Sequence, residues 1–306
     1  MKNKTLLSLC IPTNGVLEWV VPVIESIYRD KQPTQYFEVI ITDNGCNEDF
    51  ELKMKEYEKS YDNFIYKKTS AIQFQNQIEA FNLAEGKLIK FVNHRMLFLP
   101  ETLSYMLWFV RNNNDKKSPV YFSNGALKKV DEVEVYKNFD DYVNVLTYLS
   151  SWSAGIAIWK EDFDKIKEYN SYNDLFPHME LLFGIKDADE FVIINKKLME
   201  EIHTHDTKKG NYNLFYAFSV EYLSLILEMY RKDYITLETF LNIKNDLKGF
   251  LADLYFKYII QKKESSYDLT GYKSSIKVYY KPFEIYVSII KIIVRKGIQK
   301  LAVTKH

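Results

Sequence analysis

Two stretches decide the fold, Leu7-Ser-Leu-Cys-Ile-Pro-Thr-Asn-Gly15 and Phe37-Glu-Val-Ile-Ile-Thr-Asp-Asn-Gly45. Each is an apolar run of strand length that ends in a polar turn, where Asn and Gly tolerate the positive φ that such turns require. Between them, residues 17–30 carry apolar side chains at helical spacing, which predicts a helix. The two stretches therefore predict a β-α-β unit, the building block of a parallel sheet.

The same alternation continues along the first two thirds of the chain. Helices are predicted over residues 48–60 and 72–84, and strands over 64–66, 88–92, 119–123, 155–159 and 190–195. Strands that alternate with helices predict an α/β fold with a mostly parallel sheet flanked by helices.

The pattern changes at about residue 212. Residues 214–230, 235–260 and 282–301 have helical periodicity, and no strand pattern follows them. We therefore predict an α/β domain over residues 1–211 and a C-terminal helical region over residues 212–306.

Composition excludes several classes of protein. The chain has 41 Lys and Arg against 41 Asp and Glu, a net charge of zero, which argues against a protein that wraps nucleic acid with its whole surface. Two cysteines are too few for a disulfide scaffold and are expected to be free thiols in a reducing, cytoplasmic compartment. No apolar stretch is long enough to predict a spanning helix, and the first apolar run, which ends at Pro12, is interpreted as a strand rather than a signal peptide.

Short polar segments follow three of the predicted parallel strands, namely residues 12–15, 42–45 and 93–95. Ligands of open α/β sheets bind outside the carboxyl ends of the strands, so these segments are the expected site. Neither a GxGxxG nor a GxxxxGK[ST] sequence follows the first strand, which disfavours dinucleotide-binding and P-loop proteins.

At these positions the chain resembles family 2 glycosyltransferases, which have the GT-A fold. The resemblance covers about residues 5–105, with weaker matches to about residue 205. It is carried by Leu7–Thr13, Glu25-Ser-Ile27, Phe37–Gly45, the series Asn76, Ala80, Asn82, Ala84 and Gly86, and Phe98-Leu-Pro-Glu101. It implies an inverting transfer of a sugar, hexosyl in type, from a nucleotide-sugar donor to a glycan or lipid-linked acceptor in cell-envelope polysaccharide synthesis.

The resemblance also implies the donor-binding residues. Asp43 is expected to hydrogen-bond the nucleotide base, with an Asx-turn cap as the alternative, and Thr13 to lie near the base and ribose, with a strand-end hydroxyl bond as the alternative. The full expected set is Pro12, Thr13, Asn14, Asp43, Asn44, Asn76, Asn93, Arg95 and Lys208.

The chain departs from the family at the metal motif. The family's Asp-rich motif falls on Asn93-His-Arg95, which contains no carboxylate, whereas Mg²⁺ and Mn²⁺ prefer oxygen ligands. We expect Arg95 to bind the diphosphate directly, with a weak metal or none; His94 and His205 are weak candidate ligands. The alternative is a degenerate site that binds nucleotide or glycan without transferring sugar. A literal Asp187-Ala-Asp189 is expected to be a surface turn.

The catalytic base is expected at the start of a helix after the strand 155–159. Aligned on Leu181, the family's base position falls on His178, with Glu180 as the neighbouring alternative and Asp174 as a weaker one. Trp152 is expected to line the acceptor site, with core packing as its alternative.

The polar segment 202–212 contains a His-x-His sequence and then Lys208 and Lys209. It is expected to be a loop that closes over the donor diphosphate, a metal-ligand segment or a plain surface loop.

The C-terminal segment carries the strongest charge asymmetry. Residues 271–306 contain eight Lys or Arg and one acid, Glu284, a net charge of +7, so residues 1–270 hold −7 because the total is zero. The apolar positions Tyr286, Ile289, Ile290, Ile293 and Leu301 predict one helical stripe. A basic amphipathic helix predicts a position on an anionic membrane surface; the alternatives are a docked helix with a solvated basic face or a homo-oligomer interface.

Overall fold

The computed structural model describes residues 5–128, 130–167, 172–202 and 210–303, with side chains described up to residue 294. Within it the chain forms two compact units. The first unit is Met1–Tyr142 with Leu149–His203, and the second is Val143–Tyr148 with Thr204–His306. The predicted boundary at residue 211 lies eight residues after the end of the first unit at His203, and the short segment Val143–Tyr148 was not predicted to belong to the second unit.

An eight-stranded sheet forms the centre of the first unit. In chain order its strands are β1 (Leu7–Thr13), β2 (Phe37–Asp43), β3 (Phe64–Lys68), β4 (Leu88–Phe91), β6 (Val120–Phe122), β7 (Val133–Tyr136), β8 (Ile156–Trp159) and β9 (Phe191–Ile194). Their spatial order is β3-β2-β1-β4-β8-β6-β9-β7, in which β8 and β7 run antiparallel to their neighbours and the other six strands are parallel to one another. The fold is therefore the mostly parallel α/β sheet that the alternation predicts.

Two very short strands, β5 (Met96–Phe98) and β10 (Met199–Glu201), pair antiparallel outside the main sheet. The sequence did not predict them, because three residues are too few to show the two-residue alternation of a strand.

Helices cover the sheet of the first unit. They are α1 (Leu17–Tyr28), α2 (Glu48–Ser60), α3 (Asn76–Asn82), α4 (Thr102–Asn113), α5 (Phe139–Leu146, which ends in the second unit), α6 (Lys160–Ile166) and α7 (Pro177–Gly184). The β2–α2 connection shows how the sequence sets a boundary, since the Asn47 side chain accepts the Phe50 N–H and the first turn holds three acids, which the helix dipole favours.

The inner strands β1 and β2 are buried along nearly their whole length, and their register pairs Leu7 with Phe37 and Thr13 with Asp43. Apolar residues on both strands pack against α1, where Val20, Val23 and Ile24 are fully buried. Burial on both faces is typical of a parallel strand and explains why these runs are continuously apolar.

The second unit is helical. Its helices are α8 (Leu214–Tyr216), a π-helical turn (Ala217–Tyr222), α9 (Leu223–Arg231), α10 (Leu237–Tyr255), a second π-helical turn (Phe256–Ile260), α11 (Tyr272–Lys277) and α12 (Pro282–Val303). Aromatic contacts link them, as in the edge-on pairs of Tyr255 with Phe215, Tyr272 and Tyr286. In the part of the chain that the structure describes, no helix is both long and apolar enough to cross a membrane.

Candidate functional site

The polar segments predicted from the sequence converge at one edge of the sheet. Because β1, β2 and β3 are parallel and in register, Thr13 lies beside Asp43 and Asp43 beside Lys68 at their carboxyl ends. The antiparallel strand β8 starts at this same edge, so Gly155 also lies there. We call it the carboxyl edge of the sheet.

Hydrogen bonds and two glycines hold the loops after β1 and β2 together. The Asn44 N–H donates to the Thr13 carbonyl at 3.1 Å, and the Asn47 amide donates to the Gly15 carbonyl at 3.0 Å. Gly15 has a φ of +79°, and a Cβ at Gly45 would lie 2.0 Å from the Asn14 carbonyl oxygen. Both glycines of the two Asn-Gly turns are therefore required by the geometry.

Asn76, the first residue of α3, forms hydrogen bonds with residues at the ends of β1, β2 and β3. Its amide donates to the carbonyls of Thr42 at 2.9 Å and Thr13 at 3.2 Å, and its oxygen accepts from the Thr69 hydroxyl at 2.8 Å. Asn76 is buried, and these contacts are all within the protein. It lies at the predicted site, but its contacts are those of a positioning residue.

Asp43 is fully buried at the carboxyl edge. Its side chain is 0% exposed, while the side chain of its ion-pair partner Lys68 is 39% exposed. The carboxylate accepts from the Gly45 N–H at 2.7 Å, the Tyr66 hydroxyl at 3.1 Å and the Lys68 ammonium at 2.8 Å. The bond from Gly45 is an Asx turn, which is the alternative that the sequence offered for this residue.

Tyr66 and Lys68 were not singled out from the sequence. They are two residues apart on β3, and side chains at that spacing lie on the same face of a strand. Burial, and then the neighbouring Asp43 carboxylate, raise the pKa of Tyr66, so its hydroxyl stays a donor.

The segment 93–95 packs on α1 through Trp19. His94 Nδ1 lies 3.0 Å from the Thr13 hydroxyl, and its ring centroid is 5.2 Å from that of the buried Trp19. The Arg95 guanidinium lies over the same indole, 4.2 Å from the ring centroid, a cation–π contact. Asn93 accepts the Arg95 N–H at 3.0 Å. Trp19 was not predicted from the sequence as a site residue, although it lies within the predicted helix 17–30.

These residues do not fit the divalent cation that the family resemblance implies. Burial, and then the adjacent Arg95, lower the pKa of His94 to about 3, so the ring is neutral but already contacts Thr13. Asn93 offers one oxygen, which Arg95 N–H occupies, and Arg95 itself repels a cation. Across the residues described by the structure, no group of three or more His, Cys, Asp or Glu side chains is placed to hold a metal ion.

The segment 172–180 reaches the carboxyl edge through Gln75. The Gln75 amide donates to the carbonyls of Tyr172 at 3.2 Å and Asn173 at 3.4 Å, and to the Asp174 carboxylate at 3.3 Å. Asp174 is exposed and Glu180 half-buried. Both carboxylates named as alternative bases therefore belong to a segment that contacts the predicted site.

His178, the residue that aligns with the family's base, is only 4% exposed. Its Nε2 lies 2.9 Å from the Ser151 carbonyl, and its buried Nδ1 has no partner among the described residues. Burial lowers the pKa of His178 to about 4, so the ring is neutral at physiological pH. A general base must come within hydrogen-bond reach of its substrate, which this burial does not favour.

Trp152 is half-buried at the carboxyl edge, where its carbonyl accepts from the Tyr121 hydroxyl at 2.9 Å. A Cβ at Gly155 would lie 2.1 Å from the Tyr121 ring, so only glycine lets this segment approach. Lys90 also fixes the segment 154–156 in place. Its fully buried ammonium donates to the carbonyls of Ala154, Ile156 and Phe91. Burial lowers the pKa of Lys90 to about 7.

The remaining predicted residues lie elsewhere. Pro12 and Asn14 belong to the carboxyl edge and are half-buried and exposed, respectively. Lys208 and His205 lie outside the described residues. Asp187 and Asp189 occupy an exposed turn, as predicted, at the opposite edge of the sheet.

A cavity of about 770 Å³ lies at that opposite edge. It is lined by charged side chains, among them Lys116, Lys137, Glu161 and Glu190.

Comparison with known proteins shows the fold. No protein-family model and no curated protein matches the chain. Among solved structures, Staphylococcus aureus TarS residues 1–349 superpose with a TM-score of 0.52 at 14% identity, covering 90% of this chain and 91% of that one. The same fragment in complex with UDP gives a TM-score of 0.53 at 14% identity, covering 92% and 77%. A longer TarS chain gives 0.52 at 16% identity, covering 83% of this chain and 44% of that one, so this chain spans less than half of it.

TarS is a glycosyltransferase. At these identities the likeness concerns the fold alone, and it confirms the predicted GT-A-like α/β architecture with helices flanking a mostly parallel sheet.

Proposed function

We propose that this protein is a glycosyltransferase that takes a sugar from a uridine-diphosphate sugar and passes it to a cell-envelope glycan or lipid-linked acceptor. The observation that carries the proposal is the buried Asp43 carboxylate, held beside two hydrogen-bond donors at the carboxyl edge of the sheet. Fold likeness to TarS, one of whose structures holds UDP, supports the nucleotide class.

The chemistry around Asp43 suits uracil. The Watson–Crick edge of uracil presents one N–H donor between two carbonyl acceptors. Around Asp43 the protein offers one acceptor, the carboxylate, and two donors, the Tyr66 hydroxyl and the Lys68 ammonium, which both contact Oδ2. These are the kinds of group, one acceptor and two donors, that the edge of uracil requires. Lys68 covers the carboxylate, but its side chain is long and 39% exposed, so its ammonium can turn towards solvent when the N–H of a base takes its place on Asp43.

Arg95 is the proposed partner of the diphosphate. Its guanidinium is held over Trp19, and the neighbouring His94 contacts the Thr13 hydroxyl. A planar fork of donors binds phosphate oxygens in pairs. Lys208 is proposed to add a second positive charge. No hard cation is needed at residues 93–95 in this scheme, in line with the poor fit of those residues to a metal.

Glu180 is the proposed catalytic base, in place of the buried His178. The carboxylate takes the proton of the acceptor hydroxyl as that oxygen attacks the anomeric carbon. The bond between the anomeric carbon and the diphosphate oxygen breaks, and the nucleoside diphosphate leaves from the opposite face, which gives inversion. Trp152 is proposed to stack on the acceptor sugar, and His178 to position the start of α7 through Ser151.

A second candidate function is binding of nucleotide or glycan without transfer. The observation that favours it is the absence of any carboxylate at residues 93–95. Turnover separates the two, because a binding protein raises its stability with UDP but releases no UDP from a UDP-sugar.

The experiment is a thermal-shift panel of UDP, CDP, GDP and UDP-sugars with excess chelator, followed by assay of UDP release with any donor that binds. Saturating ligand stabilises the native state by about 2.7 kcal/mol at a hundredfold excess over Kd, which raises Tm by several degrees. We expect UDP and a UDP-sugar to raise Tm by several degrees, and GDP and CDP to raise it much less. Stabilisation only by GDP or CDP, or only with added Mn²⁺, contradicts the proposal.

A further inference from the structure

The last long helix, α12, is apolar on two sides. On one side Ile285, Ile289 and Ile292 are buried, and α12 packs against α10. On the other side six large apolar residues are exposed, namely Phe283 (62%), Tyr286 (50%), Val287 (46%), Ile290 (59%), Ile293 (47%) and Val294 (54%). The single stripe predicted from the sequence is therefore wrong in part, because Ile289 belongs to the packed side and Tyr286, Ile290 and Ile293 to the exposed one.

The exposed residues form a continuous surface. Their spacing runs from 283 through 286 and 287 to 290 and then 293 and 294, which keeps them on one side over three helical turns, about 16 Å. We call this surface the apolar stripe of α12. Single exposed apolar residues are common, but a contiguous stripe marks an interaction surface.

Within residues 271–306, the segment that carries the stripe, all charges but one are positive. Lys273, Lys277, Lys281 and Lys291 are exposed, and the sequence adds Arg295, Lys296, Lys300 and Lys305. The one acid, Glu284, is already engaged, since it accepts the Lys281 N–H at 2.8 Å and lies 4.0 Å from the Lys248 ammonium. Its charge therefore offsets little of the local excess.

The positive charge of residues 271–306 discriminates between two possible partners of the stripe, a second copy of the chain and an anionic bilayer. A second copy of the chain would bring one +7 segment against another, and like charges across an interface oppose association. A bilayer with anionic headgroups offers both an apolar interior for the stripe and phosphates for the lysines. We propose that the second unit binds anionic lipid surfaces, with α12 lying in the plane of the membrane and its apolar stripe in the boundary between headgroups and acyl chains.

Vesicle flotation of the full chain tests the proposal, independently of the proposed sugar transfer. Mixed phosphatidylglycerol and phosphatidylcholine vesicles are compared with pure phosphatidylcholine at low and high salt. Binding is expected to the mixed vesicles alone and to weaken with salt. The apolar variant F283Q/I290Q and the charge variant K281E/K291E are each expected to reduce binding about tenfold or more, since insertion and attraction act together.

The matched control is L52Q/W108Q, which removes two comparably exposed apolar residues of the first unit and is expected to bind like the wild type. Circular dichroism melts verify that each variant folds, which is expected because every substituted side chain is largely exposed. Equal binding to both vesicle types, or undiminished binding by F283Q/I290Q, overturns the proposal. So does a lipid-free dimer in sedimentation equilibrium that F283Q/I290Q converts to monomer, because it assigns the stripe to a second copy.

Discussion

The two edges of the same sheet both hold a carboxylate with three donors, yet only one has the character of a site. At the carboxyl edge, Asp43 is wholly enclosed and bonded by a backbone N–H, Tyr66 and Lys68. At the opposite edge, Glu190 is 19% exposed and bonded by Ser118, Lys116 and Lys137, next to the cavity of about 770 Å³.

The difference lies in what holds the charges. The lysines that pair with Glu190 are about three quarters exposed and are fixed by nothing else at their ammonium groups in the described contacts. Asp43 is held by loops that glycines and Asn76 fix in place. Because a pre-organised polar group at the carboxyl ends of parallel strands is typical of a ligand site, we propose the carboxyl edge, and not the edge with the cavity, as the functional one.

The largest expected effect is on turnover. Glu180→Gln removes the proposed base and should lower kcat by about 10²- to 10⁴-fold while leaving KM for the donor nearly unchanged. His178→Gln, a positioning change, should reduce kcat less. Steady-state kinetics with the donor identified by thermal shift measures both. A wild-type kcat for Glu180→Gln with a collapsed rate for His178→Gln would return the base to His178.

The two edges should also respond differently to acid. His178 has a folded pKa of about 4 against 6.5 in the unfolded chain, so the unfolded state binds more protons and stability is lost as pH falls from 6.5 to 4. The loss is about 3 kcal/mol. Hydrogen bonds from Ser118 and Lys137 hold the pKa of Glu190 at about 2, so its contribution is lost only as pH falls below 4.5.

Denaturant unfolding at several pH values measures this difference. His178→Gln should reduce the slope of the stability curve between pH 6.5 and 5, where His94 supplies the remaining slope, and Glu190→Gln should leave that window unchanged. An unaltered slope for His178→Gln would show that His178 does not stay neutral in the folded protein.

Backbone packing at the carboxyl edge gives the next effect. Gly45→Ala places a Cβ against the Asn14 carbonyl and should destabilise the first unit by about 1–3 kcal/mol. Gly249→Ala in α10 is the matched change, since its Cβ meets nothing within 4 Å, and it should stabilise the helix by about 0.5–1 kcal/mol. Thermal unfolding of both variants measures the difference in stability. Equal changes in stability would contradict the close approach of Gly45 to the Asn14 carbonyl.

The smallest effect should come from Lys68. Lys68→Met removes one donor beside Asp43 and should weaken UDP binding about threefold and reduce the preference for UDP over CDP. Lys137→Met at the opposite edge should leave the Kd for UDP and the Kd for CDP unchanged. Tighter UDP binding by Lys68→Met would mean that the ammonium only blocks the carboxylate.

The sequence predicted the first half of the fold well because its strands are long, apolar and closed by Asn-Gly turns. It did not reveal β5 and β10, which are three residues long. Helix α4 was not predicted either, although Leu103, Met106, Leu107 and Val110 have helical spacing and are buried. The prediction that residues 12–15, 42–45 and 93–95 share an edge needed only the parallel order of the strands.

Side-chain partners were harder to predict, since they depend on distances between residues far apart in the chain. Tyr66 and Lys68 reach Asp43 only because β3 pairs in register with β2. His178 looked like an accessible helix-start residue, and its burial follows from the segment 149–155, which packs over it through Ser151.

The most direct test of the central claim is calorimetric titration of UDP, with chelator present, into the wild-type protein, Asp43→Asn and Glu190→Gln. A hydrogen bond to a buried carboxylate is worth about 1.5–3 kcal/mol, so Asp43→Asn should weaken UDP binding about 10- to 100-fold, and Glu190→Gln should bind like the wild type. Equal affinity of Asp43→Asn and wild type, or a loss of affinity only in Glu190→Gln, would contradict a nucleotide site at the carboxyl edge.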